Sequence, residues 1–338
     1  MGPHNVGLAE RRICFDLASM PQAPSLSANR QSEPLAPGLY LVATPIGNLG
    51  DITLRALDVL RGADRIACED TRQTQKLLNH YSITTPTISC HEHNEHTRAT
   101  ELIQDIKAGK AVAVVSDAGM PGISDPGAWL AAQAIAAGVP VIPIPGANAG
   151  LTALIASGLP AEEFHFIGFL PEKTGARRTR LEDLAATPRA SAQTLIFYEA
   201  PHRILDTLAD IEFVWGPTLR IVAARELTKL HEEFLRGTVA EIRKELAVRD
   251  RVRGEFVLLV EAPLRLAGAP APGAPGPSLL GTWEGSSPAR ESISSRIARL
   301  QSQHGIDEKE ALKRLARELG QSKSELYREL QREKARLK

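Results

Sequence analysis

Residues able to do chemistry concentrate in one stretch, Val115–Gly127, which reads V-S-D-A-G-M-P-G-I-S-D-P-G. Its three glycines, two prolines, two serines and two aspartates follow the apolar run Ala111–Val115 and precede an alanine-rich helical pattern at Ala128–Ala137. A buried strand, a small-residue turn and a helix put this loop at the C-terminal end of a parallel strand, where open α/β sheets take their ligands. Small residues let backbone N–H and C=O groups approach a bound molecule, and Asp117 and Asp125 bring fixed negative charge.

Other predicted strand ends are polar too. Ala43–Ile52 (A-T-P-I-G-N-L-G-D-I) stands where a phosphate loop would, yet matches neither G-x-G-x-x-G nor G-x-x-x-x-G-K-[ST], so neither a dinucleotide nor a nucleoside triphosphate is supported. Pro45 removes a donor there and stiffens the turn, which suits shape complementarity. Cys68–Arg72 (C-E-D-T-R) offers either a helix cap at Asp70 or Thr71, or a proton acceptor beside an anion clamp. Ser89–His96 (S-C-H-E-H-N-E-H) raises a metal site, but the spacing is not H-E-x-x-H and no cysteine lies at zinc spacing; a polar active-site rim is the preferred reading. Val141–Leu154 turns through Pro-Gly into a small-residue helix whose N-terminus either meets a ligand or packs on the sheet. Phe197–Arg203 (F-Y-E-A-P-H-R) and Ala224–Glu233 (A-R-E-L-T-K-L-H-E-E) gather Glu199, His202, Arg203 and Lys229 at one edge, while salt bridges suffice for Arg225 and Glu226.

The elements that must position these residues alternate. Strands are expected at Leu39–Thr44, Arg65–Cys68, Thr87–Cys90, Ala111–Val115 and Val139–Ile144, with helices at Thr53–Arg61, Thr71–His80, Glu95–Ala108 and Ala128–Ala137 between them. A second set begins at Phe164–Leu170 and continues through Thr194–Tyr198, Arg220–Ala224 and a hairpin of His231–Gly237 with Glu255–Val260. The expected organisation is a disordered extension over 1–37, α/β domains over 38–160 and 161–262, a Pro/Gly-rich linker over 263–289 and a helical domain over 290–338. The extension lacks the apolar stretch of a secretory signal, is a weak transit-peptide candidate and contains Met20 as an alternative start. Helices at Ile293–Gln303, Glu308–Leu319 and Lys323–Leu337, with a Ser322/Glu325 capping box, give the tail a helix-turn-helix look.

Composition narrows the class. The chain has 338 residues, 43% hydrophobic, which suits two or three domains. No apolar run reaches membrane-span length. Three cysteines without a C-x-x-C pair argue against a disulfide framework and fit a reducing cytoplasm. A formal net charge of zero argues against nucleic-acid binding by bulk electrostatics, although Arg290–Lys338 carries 13 Lys/Arg against 8 Asp/Glu.

Taken in order, T-P-I-G-N-L-G-D-I, C-E-D-T-R, S-D-A-G-M-P-G-I-S-D-P-G, P-G-A-N-A-G-L-T-A-L, G-F-L-P, F-Y-E-A-P-H-R and R-E-L-T-K-L-H-E-E closely resemble one family. It is the small-subunit ribosomal RNA 2′-O-methyltransferases, a branch of the tetrapyrrole (corrin/porphyrin) methylases. The resemblance spans about Pro37 to Ala262, and the tail resembles that family's helix-turn-helix appendage. It implies two α/β domains of tetrapyrrole-methylase type with S-adenosylmethionine in the cleft between them, a homodimer, and methyl transfer to the ribose 2′-hydroxyl of a decoding-centre cytidine in 16S rRNA of the small ribosomal subunit. It also implies a donor site of Pro45, Ser116, Asp117, Ala118, Gly119, Met120, Ile123, Ser124, Ala147, Asn148 and Leu170. Met120, Gly122 and Asn148 depart from the residues usual in that family.

Direct in-line displacement needs alignment and a base, and no metal. Glu69, Asp70, His91 and Glu199 are the unranked candidates for that base. Arg72, Arg203 and Lys229 would clamp phosphates, as would Lys173, Arg177, Arg178 and Arg180, for which a solvated charge run is an equal reading. The nearest alternative keeps fold and donor but methylates a tetrapyrrole carbon. A regulator binding nucleic acid through the tail alone would leave the polar strand ends without a role.

Overall fold

The computed structural model describes residues 34–91, 94–187, 191–262, 296–297, 301, 307–319, 326–327 and 330. Strands Gly38–Val42 (β1), Arg65–Cys68 (β2), Thr87–Ser89 (β3), Ala111–Val115 (β4) and Val141–Ile144 (β5) form an all-parallel sheet in the order β3-β2-β4-β1-β5. Helices Leu54–Gly62 (α1) and Thr71–His80 (α2) cover one face, burying Leu57, Leu60 and Leu78 on Val42, Ile66 and Ala113. Glu95–Lys107 (α3) and Ala128–Ala136 (α4) cover the other, where Leu102, Ile106 and Leu130 meet Leu39, Val112 and Val114. Because successive strand residues face opposite sides, the unbroken apolar run of β4 is what a central strand covered on both faces requires. Thr53 and Asp70 start α1 and α2 by accepting the Ala56 and Arg72 N–H groups at 3.1 and 2.8 Å.

The chain leaves β1 toward β2 on one side and leaves β4 toward β5 on the other, although β1 and β4 are neighbours. Their C-terminal ends therefore diverge into a crevice, the topological switch point of this sheet.

Ala149–Ser157 (α5) leads to a second sheet of Phe164–Phe169 (β6), Gln193–Glu199 (β7), Arg220–Arg225 (β8), Glu233–Thr238 (β9) and Phe256–Ala262 (β10), ordered β6-β7-β10-β8-β9. Only β6 and β7 run parallel; the other pairs are antiparallel. The hairpin expected between the β9 and β10 segments is not formed. β9 pairs with β8, and β10 lies between β7 and β8. The cause is apolarity: F-V-L-L-V of β10 is buried on both faces and takes a central place, whereas the partly exposed E-F-L-R-G-T of β9 belongs at an edge.

Helices Thr174–Ala186 (α6), Ile204–Trp215 (α7) and Val239–Ala247 (α8) cover one face of this sheet through Leu181, Leu208 and Ile242. The other face receives Ala153 and Leu154 of α5 against Ile196, Val222 and Leu259. Both sheets lie in one compact unit.

Pro275–Lys338 is a separate unit. Within it Glu308–Leu319 (α9) forms as the pattern predicts, with Ala311, Leu312, Leu315 and Ala316 buried alongside Ile297, Leu326 and Leu330. Asp307 accepts the Glu310 N–H at 2.8 Å at the start of α9. The expectations for 1–33, the 263–289 linker, His93, Glu92, and most of the Ile293–Gln303 and Lys323–Leu337 helices fall outside the described residues.

Candidate active site

A cavity of about 350 Å³ opens at the switch point. On the side of the first sheet it is walled by Ile46 after β1, by Ala118–Met120 and Ile123–Asp125 after β4, and by Asn148 and Ala149 at the start of α5. On the side of the second sheet it is walled by Phe169, Tyr198–Pro201, Ala224, Leu227, Lys229 and Glu255–Val257.

Local backbone chemistry holds these walls in place. The Thr44 N–H donates to the Gly119 carbonyl at 2.8 Å and the Gly119 N–H returns to Thr44 at 3.1 Å, tying the β1 and β4 loops together. Gly119 has φ +88, a conformation that costs an L-residue about 1–2 kcal/mol. Asn148 caps α5 by accepting the Leu151 N–H at 2.9 Å, and its amide lies 3.6 Å from the Met120 sulfur. Across the cleft, the Gly150 N–H donates to the Tyr198 hydroxyl at 3.2 Å. A register shift near Gly168 (φ +74) lets the Ser124 hydroxyl come within 3.0 Å of where a Cβ would stand. Ser124, Glu226 and Thr228 take positive φ without being glycine, and all three lie in loops that line the cavity. Backbone strain of this kind persists where surrounding structure over-determines it and gathers at functional sites.

Of the residues expected to hold the donor, Ala118, Gly119, Met120, Ile123, Ser124 and Asn148 line the cavity. Pro45, Asp117 and Ala147 each adjoin a lining residue in the chain. Ser116 is buried, and its hydroxyl donates to the Gly119 carbonyl at 3.2 Å. Leu170 is buried in the core beneath α6 and α7 and follows the lining residue Phe169.

Among the candidate bases only Glu199 reaches the cavity lining. It is buried, and its two oxygens accept the Ala200 N–H at 2.9 Å and the Thr207 hydroxyl at 2.6 Å, with the Arg203 Nε at 3.2 Å. Asp70 caps α2 and binds the exposed Arg72 guanidinium at 2.9 Å, contacts that hold its carboxyl below the usual range. Its N–H donates to Asp117 at 3.2 Å. Glu69 follows β2 in the same loop, and His91 follows β3, where its N–H donates to Asn94 at 2.8 Å.

The basic residues divide by partner. Lys229 lines the cavity, ion-paired to Glu226 at 2.8 Å and Glu255 at 2.9 Å. Arg203 donates to the Leu170 carbonyl at 2.7 Å. Arg177 is buried against Asp210 at 2.7 Å, so its guanidinium faces the α6–α7 junction and not solvent. Arg178 binds the same aspartate at 2.6 Å and stacks over Phe213, while Lys173 and Arg180 are exposed.

Sequence reasoning treated Asp125 as a fixed charge and passed over Tyr198 and Phe169. Asp125 is half-buried in the cavity wall; burial, then the Glu69 and Asp117 carboxylates, push its pKa up to about 6 against a lowering contact from the Ser116 hydroxyl. Burial also raises the Tyr198 phenol, with a further contribution from Asp125. Phe166 and Phe169 pack edge-on to the Tyr198 ring at 5.1 and 5.8 Å. Period-2 alternation signals Tyr198: buried Phe197 faces α6 and α7, so its neighbour faces the cleft.

Comparisons with known proteins agree with this geometry. The family model for Tetrapyrrole (Corrin/Porphyrin) Methylases matches residues 38–243. A ribosomal RNA small subunit methyltransferase I of Halalkalibacterium halodurans is 56% identical over 223 residues, covering 66% of this chain and 75% of its own. The protein of the same name from Bacillus subtilis is 50% identical, covering 66% and 74%. Among solved structures, the methyltransferase CobJ superposes with a TM-score of 0.51 at 21% identity, covering 67% of this chain and 94% of its own, which shows a shared fold. With that fold, the family match and identities of this size, the chain belongs to the ribosomal RNA small subunit methyltransferase I family of the tetrapyrrole methylases.

Proposed function

We propose that this protein transfers the methyl group of S-adenosylmethionine to the ribose 2′-hydroxyl of a decoding-centre cytidine in 16S rRNA, acting on the small ribosomal subunit as a homodimer. The observation that carries the reading is the identity of 50–56% to small-subunit rRNA methyltransferases. The 38–243 family match takes in every cavity-lining residue except Glu255, Phe256 and Val257.

The cavity suits the donor. Ile46, Ala149, Leu227 and Val257 give apolar walls for an adenine ring, the Ala118–Met120 backbone and Asn148 offer polar edges, and about 350 Å³ accommodates a nucleoside-sized ligand. S-adenosylmethionine supplies a methyl group already made electrophilic by its sulfonium. The chain's part is to fix the ribose oxygen in line with that methyl, exclude water and take a proton. Exposed Arg72, Lys173 and Arg180, with Lys229 at the cavity, supply cations for the RNA backbone. Leu151 and Ile155 on α5, and Phe164 and Phe169 on edge strand β6, are exposed apolar side chains available to a second copy. Sedimentation at dimer mass, shifting to monomer in Ile155→Asp, tests that surface.

Activity is tested with radiolabelled S-adenosylmethionine and isolated 30S subunits, naked 16S rRNA or uroporphyrinogen. Label in a cytidine ribose from 30S subunits is the expected result. Label in the porphyrinogen, or none in the ribose, overturns the reading. Among the described residues no helix is long and apolar enough to cross a membrane.

A further inference from the structure

The Ser89–His96 motif ends near a glutamate that does not line the cavity yet governs its wall. The turn before it is fixed first. The Asn94 side chain accepts the His91 N–H at 2.8 Å and donates to the Ser89 carbonyl at 3.3 Å, and the Glu95 N–H donates to the His91 carbonyl at 2.9 Å. Glu95 then opens α3 with its side chain buried at the start of α4. Helix α4 depends on that side chain. Its N-cap is Gly127, at φ +123, which has no side chain to take up the free N–H groups of the first turn. One Glu95 carboxylate oxygen accepts two of them, from Gly127 at 3.0 Å and from Leu130 at 3.2 Å. These are the N-cap and N3 positions, so one side chain from another helix satisfies both N–H groups that a capping box pairs through two residues.

The Gly127 bond reaches beyond the helix. The Gly127 N–H and the Pro126 carbonyl belong to one planar peptide, and that carbonyl accepts the Gly122 N–H at 3.0 Å, closing the loop 122–127 at its neck. Ile123, Ser124 and Asp125 of this loop line the cavity, and Ser124 is held at φ +64. A residue other than glycine keeps such a conformation only where its surroundings over-determine it. Resting on the reading of this cavity as the S-adenosylmethionine site, we infer that Glu95 is a positioning residue: by locking the Pro126–Gly127 peptide it holds the Ile123–Asp125 wall in its donor-binding shape. Without the carboxylate that peptide is free to turn. The fraction of molecules with a formed wall then falls, and donor affinity falls with it. The rate at saturating donor is spared, because bound donor selects the formed wall.

The test uses the full-length protein: calorimetric binding of S-adenosylhomocysteine, single-turnover methylation of 30S subunits at saturating S-adenosylmethionine, and urea denaturation to show that each variant is folded. Glu95→Ala should bind S-adenosylhomocysteine about tenfold more weakly, the equivalent of one lost cap. Its saturated rate should stay within about threefold of wild type. Glu95→Gln keeps an oxygen for both N–H groups and should bind within about threefold of wild type. His96→Ala removes the His96–Trp129 ring contact at 4.1 Å between the same two helices and leaves the peptide untouched. It should also bind within about threefold. Wild-type affinity in Glu95→Ala, a Glu95→Gln that binds as weakly as Glu95→Ala, or an equal loss in His96→Ala overturns the proposal. So does a saturated rate in Glu95→Ala that falls as far as its affinity, which would place Glu95 in the chemical step. If Glu95→Ala does not fold, Glu95→Asp, whose shorter side chain withdraws the acceptor, decides by the same ratio. A wild type that binds no S-adenosylhomocysteine overturns the donor-site reading, and this inference with it; a wild type that binds it leaves the variant ratio to decide on Glu95 alone.

Discussion

Gly47 touches the loop that brings Lys229 to the cavity, and replacing it tests how the two sheets close on each other. A Cβ built at Gly47 would run into the Lys229 Cγ and stand 3.0 Å from both the Lys229 Cε and the Thr228 Oγ1. The Lys229 stem cannot swing away freely, because its ammonium is held by Glu226 at 2.8 Å and Glu255 at 2.9 Å. Glu255 is 79% exposed, so solvent screens that pair to little; Glu226, at 21%, carries most of the tether. Overpacking plus loss of the Glu226 contact should cost Gly47→Ala about 1–2 kcal/mol. In a Lys229→Ala background only the Thr228 contact remains, and the same substitution should cost less than about 0.5 kcal/mol. The coupling, about 1 kcal/mol, is read from urea denaturation of the four full-length proteins by circular dichroism. Equal costs in both backgrounds would refute the packing of the β8–β9 loop on the β1 loop.

Two further predictions concern stability. Asp210→Asn leaves the buried Arg177 guanidinium without its counter-charge and should lower stability by about 3–5 kcal/mol in urea melts; a loss under about 1 kcal/mol would mean that Arg177 finds water. Arg249, then Arg225, hold the Glu233 carboxyl down to about 2. A depressed folded-state pKa gives stability that is complete above the unfolded value near 4.5 and lost as pH falls through about 2. Partial exposure reduces this to about 1–2 kcal/mol, and Glu233→Gln should flatten the stability profile over that acid window; an unchanged slope would contradict it.

The first sheet was legible in the sequence almost residue by residue. Its β/α alternation is local: apolar β4, the Asp70 cap and the Thr71–His80 helix each announce themselves within a dozen residues. The Val115–Gly127 loop identified the cavity because parallel strands deliver their loops to one edge. The second sheet was less legible, since its pairing is non-local. Nothing near β10 says that it will separate β7 from β8, so Phe256 and Val257 went unseen as cavity walls. Arg177 read as part of a charge run because its partner, Asp210, lies on the next helix. Asp125 was visible as a residue, but its perturbed acidity depends on Glu69, which another strand brings near.

Central to the account is a methyl donor bound where the β1 and β4 loops meet the second sheet. A crystal structure with S-adenosylhomocysteine tests that most directly. The ligand is expected against Ile46, Gly119, Asn148 and Tyr198. Density for the ligand elsewhere on the protein, or a cavity that stays empty at saturating concentration, would contradict it.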